Sequence, residues 1–419
     1  MQWDGMSYNN KKKAGETMVI GIIGGGASGM AAALAASENP DNHILLFERQ
    51  ARVGRKLQAT GNGRCNLTNL GAAPEHYLVD QADFVRYALD HFNVKATLEW
   101  FRSLGLFTVA EPSGKVYPYS DQANSVLDVL RFALEKPNIA LHAGVEITRV
   151  KKAEGGFCLM AEGETFFCDR LIVACGGLAG SKLGGGMWGY KLLRGLGHGC
   201  TRLRPALVQL KSGWKGCISL KGVRANCQVQ IYRDGQLYNQ STGELQFTDY
   251  GISGPVIFET SRDVCQGGGL WQCHLDFLPD MDAETLCSEL LRRRSTHWTT
   301  DDLLTGILHN RLGRVLTATA GIRTLPCAEL TERQIREVVS LVKCLELGLT
   351  DTMGMDNAQV TAGGIFTAEF NETTMESRLV PGLYACGEVL DIDGDCGGYN
   401  LQWAWSSGRL AGLAAGGIK

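Results

Sequence analysis

The chain has 14 cysteines, yet none form a Cys-x-x-Cys pair and no His-x-x-x-His stands near them. A structural zinc site is therefore not expected. The irregular spacing, the length and the lack of an export signal also argue against a disulfide framework. The cysteines read as reduced, small apolar residues, which implies a cytoplasmic setting, one with little oxygen. No apolar run is long enough to span a bilayer. Neither sign of charge dominates: 41 Lys and Arg stand against 44 Asp and Glu, a net charge of −3. That balance argues against a nucleic-acid surface, and the densest basic run, Arg292-Arg293-Arg294, reads as a solvated helix face. Residues 1–17 carry Lys11-Lys12-Lys13 but lack the apolar core of a signal peptide, so a flexible leader is expected.

What is present is a globular composition, 44% hydrophobic and 20% charged over 419 residues. That length calls for two or three domains. Met18 to Ile23 is a short β-branched run ending in glycines, the pattern of a buried parallel strand. Ser28 to Ser37 is alanine-rich and helical, and His43 to Glu48 is the next strand, completing a βαβ unit. Arg49 to Asn69 shows no period and reads as a long functional loop. Asp83 to Leu104 has helical spacing. Short strands at Glu146–Val150, Gly156–Met160 and Thr165–Phe167 suggest a meander. Leu171 to Ala174 is again a buried strand, followed by a helix at Gly189–Leu196.

From about Thr201 the texture changes to alternating runs, such as Cys227 to Tyr232 before an Asp234-Gly235 turn, which read as antiparallel hairpins. Asp282–His297 and Thr331–Leu347 read as helices. From Gln359 the parallel-sheet texture returns, ending in a helix at Asn400–Ala415. The expected fold is α/β: a discontinuous Rossmann-like nucleotide-binding domain (18–200 and 359–419), interrupted by a β-rich, barrel-like insert (201–280 and 346–358) that covers substrate, and by a small helical domain (281–345).

Gly24, Gly26 and Gly29 fit G-x-G-x-x-G, directly after a strand and opening a helix. The first permits a tight turn, the second lets the backbone approach a pyrophosphate, and the third lets helix and strand pack closely. The helix N-terminus then offers free N–H groups and its positive dipole end. Glu48, 24 positions after Gly24, can accept from ribose hydroxyls. The competing reading is a glycine-rich turn beside a surface acid. Near the other end, Leu383 to Glu388 is a short strand ending in Gly and an acid that can meet the ribityl chain of FAD. Gly397-Gly398-Tyr399-Asn400 opens the last helix, whose N–H groups can face the pyrimidine edge of a flavin.

Three runs carry a family resemblance: Arg52 to Asn69 (RVGRKLQATGNGRCNLTN), Leu245 to Pro255 (LQFTDYGISGP) and Asp391 to Gly408 (DIDGDCGGYNLQWAWSSG), with Thr361-Ala362-Gly363-Gly364 besides. Together they resemble a bacterial flavoprotein family variously labelled BaiN-like, HI-type or aminoacetone-oxidase-like, and the likeness spans the chain after the leader. Cys175 and Cys396 depart from it, standing where relatives carry Thr. The resemblance implies non-covalent FAD, a three-part architecture and oxidoreductase chemistry. With the fingerprint, it implies cofactor contacts from Gly24, Gly26, Ala27, Ser28, Gly29, Glu48, Arg49, Arg55, Lys56, Gly61, Asn62, Arg64, Cys65, Asn66, Val145, Ala174, Gly176, Gly177, Gly363, Gly387, Glu388, Asp395, Gly398, Tyr399, Asn400 and Leu401.

The chemistry that the resemblance favours is reduction of a C=C bond conjugated to a ketone, in a 3-oxo-4-ene or 4,6-diene steroid-like bile acid, by hydride transfer from flavin N5. Such a reaction needs a partner for the developing enolate and a proton for the α-carbon. Arg64, Tyr119, Asp249 and Tyr250 are the candidates. Arg64 reads equally as an anchor. Tyr117 and Tyr119 read as packing at Pro118, and Asp249 as a turn cap before Gly251. Cys65 reads as buried. No second glycine fingerprint exists, so NAD(P)H would dock transiently as the electron donor. The rivals are an amine oxidase and a flavin-binding redox sensor or RNA-modification partner.

Overall fold

The computed structural model describes residues 17–418; the expected leader, apart from Thr17, lies outside them. The described residues form two compact units: 17–177, 186–201 and 364–418 in one, 178–185 and 202–363 in the other.

The first unit is built on a five-stranded sheet in the order Leu383–Ala385, Arg170–Val173, Val19–Ile23, His43–Glu48, Ile139–Ala143. Every neighbouring pair is parallel. The central strands are apolar on both faces because helices cover them. The chain winds one way from Val19–Ile23 to His43–Glu48 and returns on the other side at Arg170–Val173. The carboxyl ends of Val19–Ile23 and Arg170–Val173 therefore flank a topological switch point, where open α/β sheets bind ligands. Both ends carry glycines: Gly24 to Gly26 after one, Gly176 and Gly177 after the other. The meander is Arg149–Ala153, Gly156–Ala161 and Glu164–Cys168, antiparallel throughout.

The helix Ala27–Ala36 is buried on nearly every residue, and Tyr399–Ala415 packs along it. Glycine makes the approach possible. A Cβ on Gly408 would lie 2.3 Å from the Ser28 carbonyl oxygen, and one on Gly412 2.3 Å from that of Ala32. Arg170 caps the far end of the last helix, donating to the carbonyls of Ala414 at 2.9 Å and Ala415 at 2.8 Å.

The second unit holds a closed barrel in the order Leu210–Ser212, Gly251–Ser253, Gln236–Phe247, Arg224–Arg233, Trp271–Asp276, Leu345–Thr352. Its long hairpin turns at Asp234 and Gly235, with φ of +50° and +80°, the twist a two-residue hairpin requires. Helices Ala283–Arg292, Asn310–Thr319 and Glu332–Lys343 bury Leu286, Leu316 and Val338 in the same core as barrel residues Val229 and Leu275.

Several element boundaries differ from the sequence expectation. The loop after Glu48 contains a short helix at Arg55–Ala59. Asp83–Leu104 is two helices, because Asn93 caps the second by accepting from the Ala96 N–H at 2.9 Å. Thr331–Leu347 stops being helical at Lys343, and Leu345 opens the strand that closes the barrel. There the apolar run suits either period, and barrel pairing decides.

Candidate cofactor and active site

The turn after the first strand has three glycines with three different surroundings. Gly24 has φ +109°, and a Cβ there would come 2.3 Å from the Ala174 carbonyl oxygen. A Cβ on Gly29 would lie 1.8 Å from the Gly24 carbonyl oxygen. At Gly26 a Cβ would meet nothing within 4 Å. The first two glycines serve protein packing; the third opens onto free space. Gly26 is also the N-cap of the helix and provides no side-chain cap. The first N–H groups of that helix thus face the space with no side chain covering them.

Glu48 closes one side. Its Oε2 accepts from the Gly25 N–H at 2.9 Å and its Oε1 from the Gln50 N–H at 2.8 Å. Two backbone donors fix the carboxylate and leave lone pairs for hydroxyl donors. The Val145 N–H donates to the Glu48 carbonyl at 3.0 Å, and the Ala174 N–H to that of Ile23 at 2.9 Å, tying the neighbouring strand ends to this rim. Gly176, with φ +68°, again has nothing within 4 Å of its added Cβ. The Gly177 carbonyl accepts from the Gly186 N–H at 3.0 Å. Arg49 pairs with Glu146 at 3.8 Å, and Arg55 donates to the Gln50 side chain at 2.8 Å.

The terminal run meets this loop. Lys56 Nζ lies 2.7 Å from Glu388 Oε2, across 332 positions of sequence. Gly387 has φ +75°; its N–H donates to Ser407 Oγ at 3.0 Å and its carbonyl accepts from Trp403 Nε1 at 3.1 Å. Gly398 is the N-cap of the last helix, with φ +103° and no side-chain cap. A Cβ there would come 2.4 Å from the Thr68 carbonyl oxygen. Asn400 clamps the preceding turn: it accepts from the Gly394 N–H and donates to the Gly394 carbonyl, both at 2.8 Å. Leu401 follows it in the first turn of the helix.

Gly61 and Asn62, both at φ +57°, bend the loop tightly. Cys65 is fully buried, and burial pushes its thiol up to about 12. Asn66 is buried and its Oδ1 has no hydrogen-bond partner. Such an orphan acceptor calls for a donor from outside the protein. The open cradle at Gly26, two helix N-termini without side-chain caps, the carboxylates of Glu48 and Glu388, and the waiting Asn66 acceptor fit FAD.

The four candidates for proton and charge handling are divided between the two units. Arg64 pairs with Asp121, lies 3.0 Å from Glu111, and sits 3.9 Å over the Tyr117 ring. Those partners hold its guanidinium in place and raise its pKa, the Asp121 hydrogen bond most of all. Tyr119 is 75% exposed. Asp249 and Tyr250 belong to the second unit, as does Gly363. Lys221 lies 2.6 Å from Asp249 and its hydrogen bond lowers the carboxyl pKa, whereas burial raises that of Tyr250.

One pair escaped the sequence reading. His76 Nδ1 lies 2.9 Å from Asp395 Oδ2, and the imidazole stacks on Tyr399 at 4.5 Å between ring centres. The Tyr77 hydroxyl donates to the Tyr399 carbonyl at 2.8 Å. A two-residue pairing of Tyr77–Leu78 with Asp393–Gly394 brings them together. A carboxylate-oriented imidazole thus stands at the N-terminus of the last helix.

The sequence model of a family described as HI0933-like protein Rossmann domain matches residues 18–414. The chain is 42% identical over 407 residues to the 3-dehydro-bile acid delta(4,6)-reductase of Clostridium scindens, covering 94% of this chain and 98% of that protein. It is 33% identical over 393 residues to the ribosomal RNA dihydrouridine synthase of Escherichia coli, covering 92% and 95%. Among solved structures, 3-ketosteroid delta1-dehydrogenase from Sterolibacterium denitrificans aligns with a TM-score of 0.51 at 13% identity, over 96% of this chain and 100% of that one; the likeness is one of fold. The expectation of no nucleic-acid partner, which rested on the charge balance and the lack of a basic tract, is not supported, since relatives named for RNA chemistry match almost end to end. Among the described residues no helix is long and apolar enough to cross a membrane.

Proposed function

The chain belongs to the HI0933-like family, and from that premise we propose that this FAD-dependent oxidoreductase reduces a C=C bond conjugated to a ketone. The proposed substrate is a 3-oxo-4-ene or 4,6-diene bile acid or a similar steroid, with NAD(P)H as a transient electron donor. The carrying observation is 42% identity, across 94% of the chain, to a bile-acid reductase.

When bound, FAD supplies the hydride chemistry. The residues of this chain hold it and manage charge. The Gly24 to Gly29 turn and its helix N-terminus would take the diphosphate, Glu48 the ribose and Glu388 the ribityl chain. The last helix would direct its N-terminal N–H groups at the pyrimidine edge, where negative charge accumulates. Reduction of an enone also needs a proton at the α-carbon. His76 supports that task best: Asp395 fixes one ring nitrogen and leaves the other free to hold a proton. Arg64, with two carboxylates and a ring around it, acts as an anchor for the loop.

A second reading takes uridine in RNA as substrate, favoured by 33% identity to a ribosomal RNA dihydrouridine synthase. The C5=C6 bond of uracil is conjugated to the C4 carbonyl, so the same hydride and proton deliveries apply. Incubation without air, with NADH and a 3-oxo-4-ene bile acid, separates the two. Mass spectrometry is expected to show a bile-acid product heavier by two hydrogens. An unchanged bile acid, with dihydrouridine appearing in added ribosomal RNA, would replace the first reading with the second.

A further inference from the structure

On the outer face of the barrel, His274 lies in the strand Trp271–Asp276 directly opposite Glu346 of Leu345–Thr352. Cys344, the C-cap of the helix Glu332–Lys343, stands at the junction just before that strand, two positions ahead of Glu346. Strand register and this helix-to-strand junction bring an imidazole, a thiol and a carboxylate to one spot. One ligand atom from each lies within 4.8 Å of the other two. His274 and Glu346, as cross-strand neighbours, are held by the ladder itself.

Three further observations distinguish this group from an ordinary surface cluster. His274 Nε2 is buried with no hydrogen-bond partner. The imidazole is stacked on Tyr232, ring centres 4.2 Å apart, which fixes its plane. The charges that act on the Cys344 thiol, Glu346 and Asp276, are both negative. The nearby cation Lys343 is held 2.7 Å from Asp276 and donates to the carbonyls of Leu278 and Met281.

We propose that His274, Cys344 and Glu346 form a site for a thiophilic divalent cation of the zinc class, clamping the strand that closes the barrel to its neighbour. Imidazole nitrogen, thiolate sulfur and carboxylate oxygen are the ligand set zinc prefers, and three protein ligands leave one position for water. Tetrahedral geometry needs ligand atoms roughly 3.5 Å apart, so modest side-chain movement closes the site. On binding, the Cys344 thiol releases its proton to solvent and the sulfur–metal bond forms. Thiolate and carboxylate then balance the two positive charges of the ion. The sequence offered no paired Cys or His because His274 lies 70 positions or more before Cys344 and Glu346, and only the barrel register aligns them.

The test is titration of the full-length protein with cobalt(II), whose thiolate complexes give a charge-transfer band in the near ultraviolet. The wild type is expected to show this band saturating at one equivalent, and zinc(II) is expected to abolish it. Cys344→Ser is expected to lose the band, and His274→Ala and Glu346→Gln to weaken binding by about tenfold or more. Circular dichroism of each variant controls for folding, and Glu346→Gln, at an exposed position, is the variant least able to disturb it. No band in the wild type, or an equal band in Cys344→Ser and Glu346→Gln, would overturn the site.

Discussion

Gly26 and Gly29 are three positions apart, and an added methyl group meets opposite fates at the two. Gly29→Ala would force a Cβ to 1.8 Å from a backbone oxygen, so it is expected to lower stability by about 1–3 kcal/mol or more. Gly26→Ala meets no protein atom within 4 Å. It is expected to leave the denaturation midpoint unchanged while weakening FAD binding by about tenfold, ~1.4 kcal/mol. Flavin fluorescence titration alongside urea denaturation checks both; equal FAD affinity in Gly26→Ala and wild type would mean the open space is not the phosphate cradle. Cys65 gives a second check. Burial raises its thiol to about 12, so it stays protonated and unreactive near neutrality. Alkylation of the folded protein at about pH 8 is expected to spare Cys65, and denaturation to expose it, as read by mass mapping. At this scale, spacing alone made the three glycines and Glu48 legible. His76 was not legible, because its partner Asp395 lies 319 positions away and no periodicity links them.

The two glycine-started helices form one packed element. Gly412→Val would press two methyls against the Ala32 carbonyl, and is expected to destabilise by about 1–3 kcal/mol and to release FAD. Between elements, His198 is pinned by Glu369 at 2.8 Å and Ser377 at 3.0 Å and stacked on Phe370. Burial lowers the pKa of His198 below its ordinary 6.5, so the folded protein resists protonating it. The unfolded chain then binds the extra proton. This contribution to stability is complete above 6.5 and is lost as the pH falls through the lowered folded value. His198→Phe is expected to cost about 1–3 kcal/mol near neutrality, by stranding buried polar partners, and to flatten the acid limb of the stability curve. An unaltered acid limb in that variant would remove His198 as its cause. The strands and helices flanking this pin were largely visible as apolar runs. The helix-to-strand change after Lys343 was not, since only barrel closure decides it.

Over the whole molecule, the parallel sheet places both glycine-rich strand ends at one switch point, and the last helix returns the C-terminal run to the first helix. That return was the part of the fold most visible in the sequence, because glycine-rich runs stand at both ends. The barrel was visible only as alternating texture, since its closure depends on register between distant strands. The chemistry resolves into one question: which acceptor takes the electrons. The most direct measurement is anaerobic stopped-flow absorbance of the FAD-loaded protein, reduced by NADH and then mixed with a 3-oxo-4-ene bile acid, ribosomal RNA or air. Rapid return of the oxidised flavin spectrum with the bile acid, slowed in His76→Asn, is the predicted result. Reduction by an amine without NADH, or reoxidation by RNA or oxygen but not by the enone, would contradict the account.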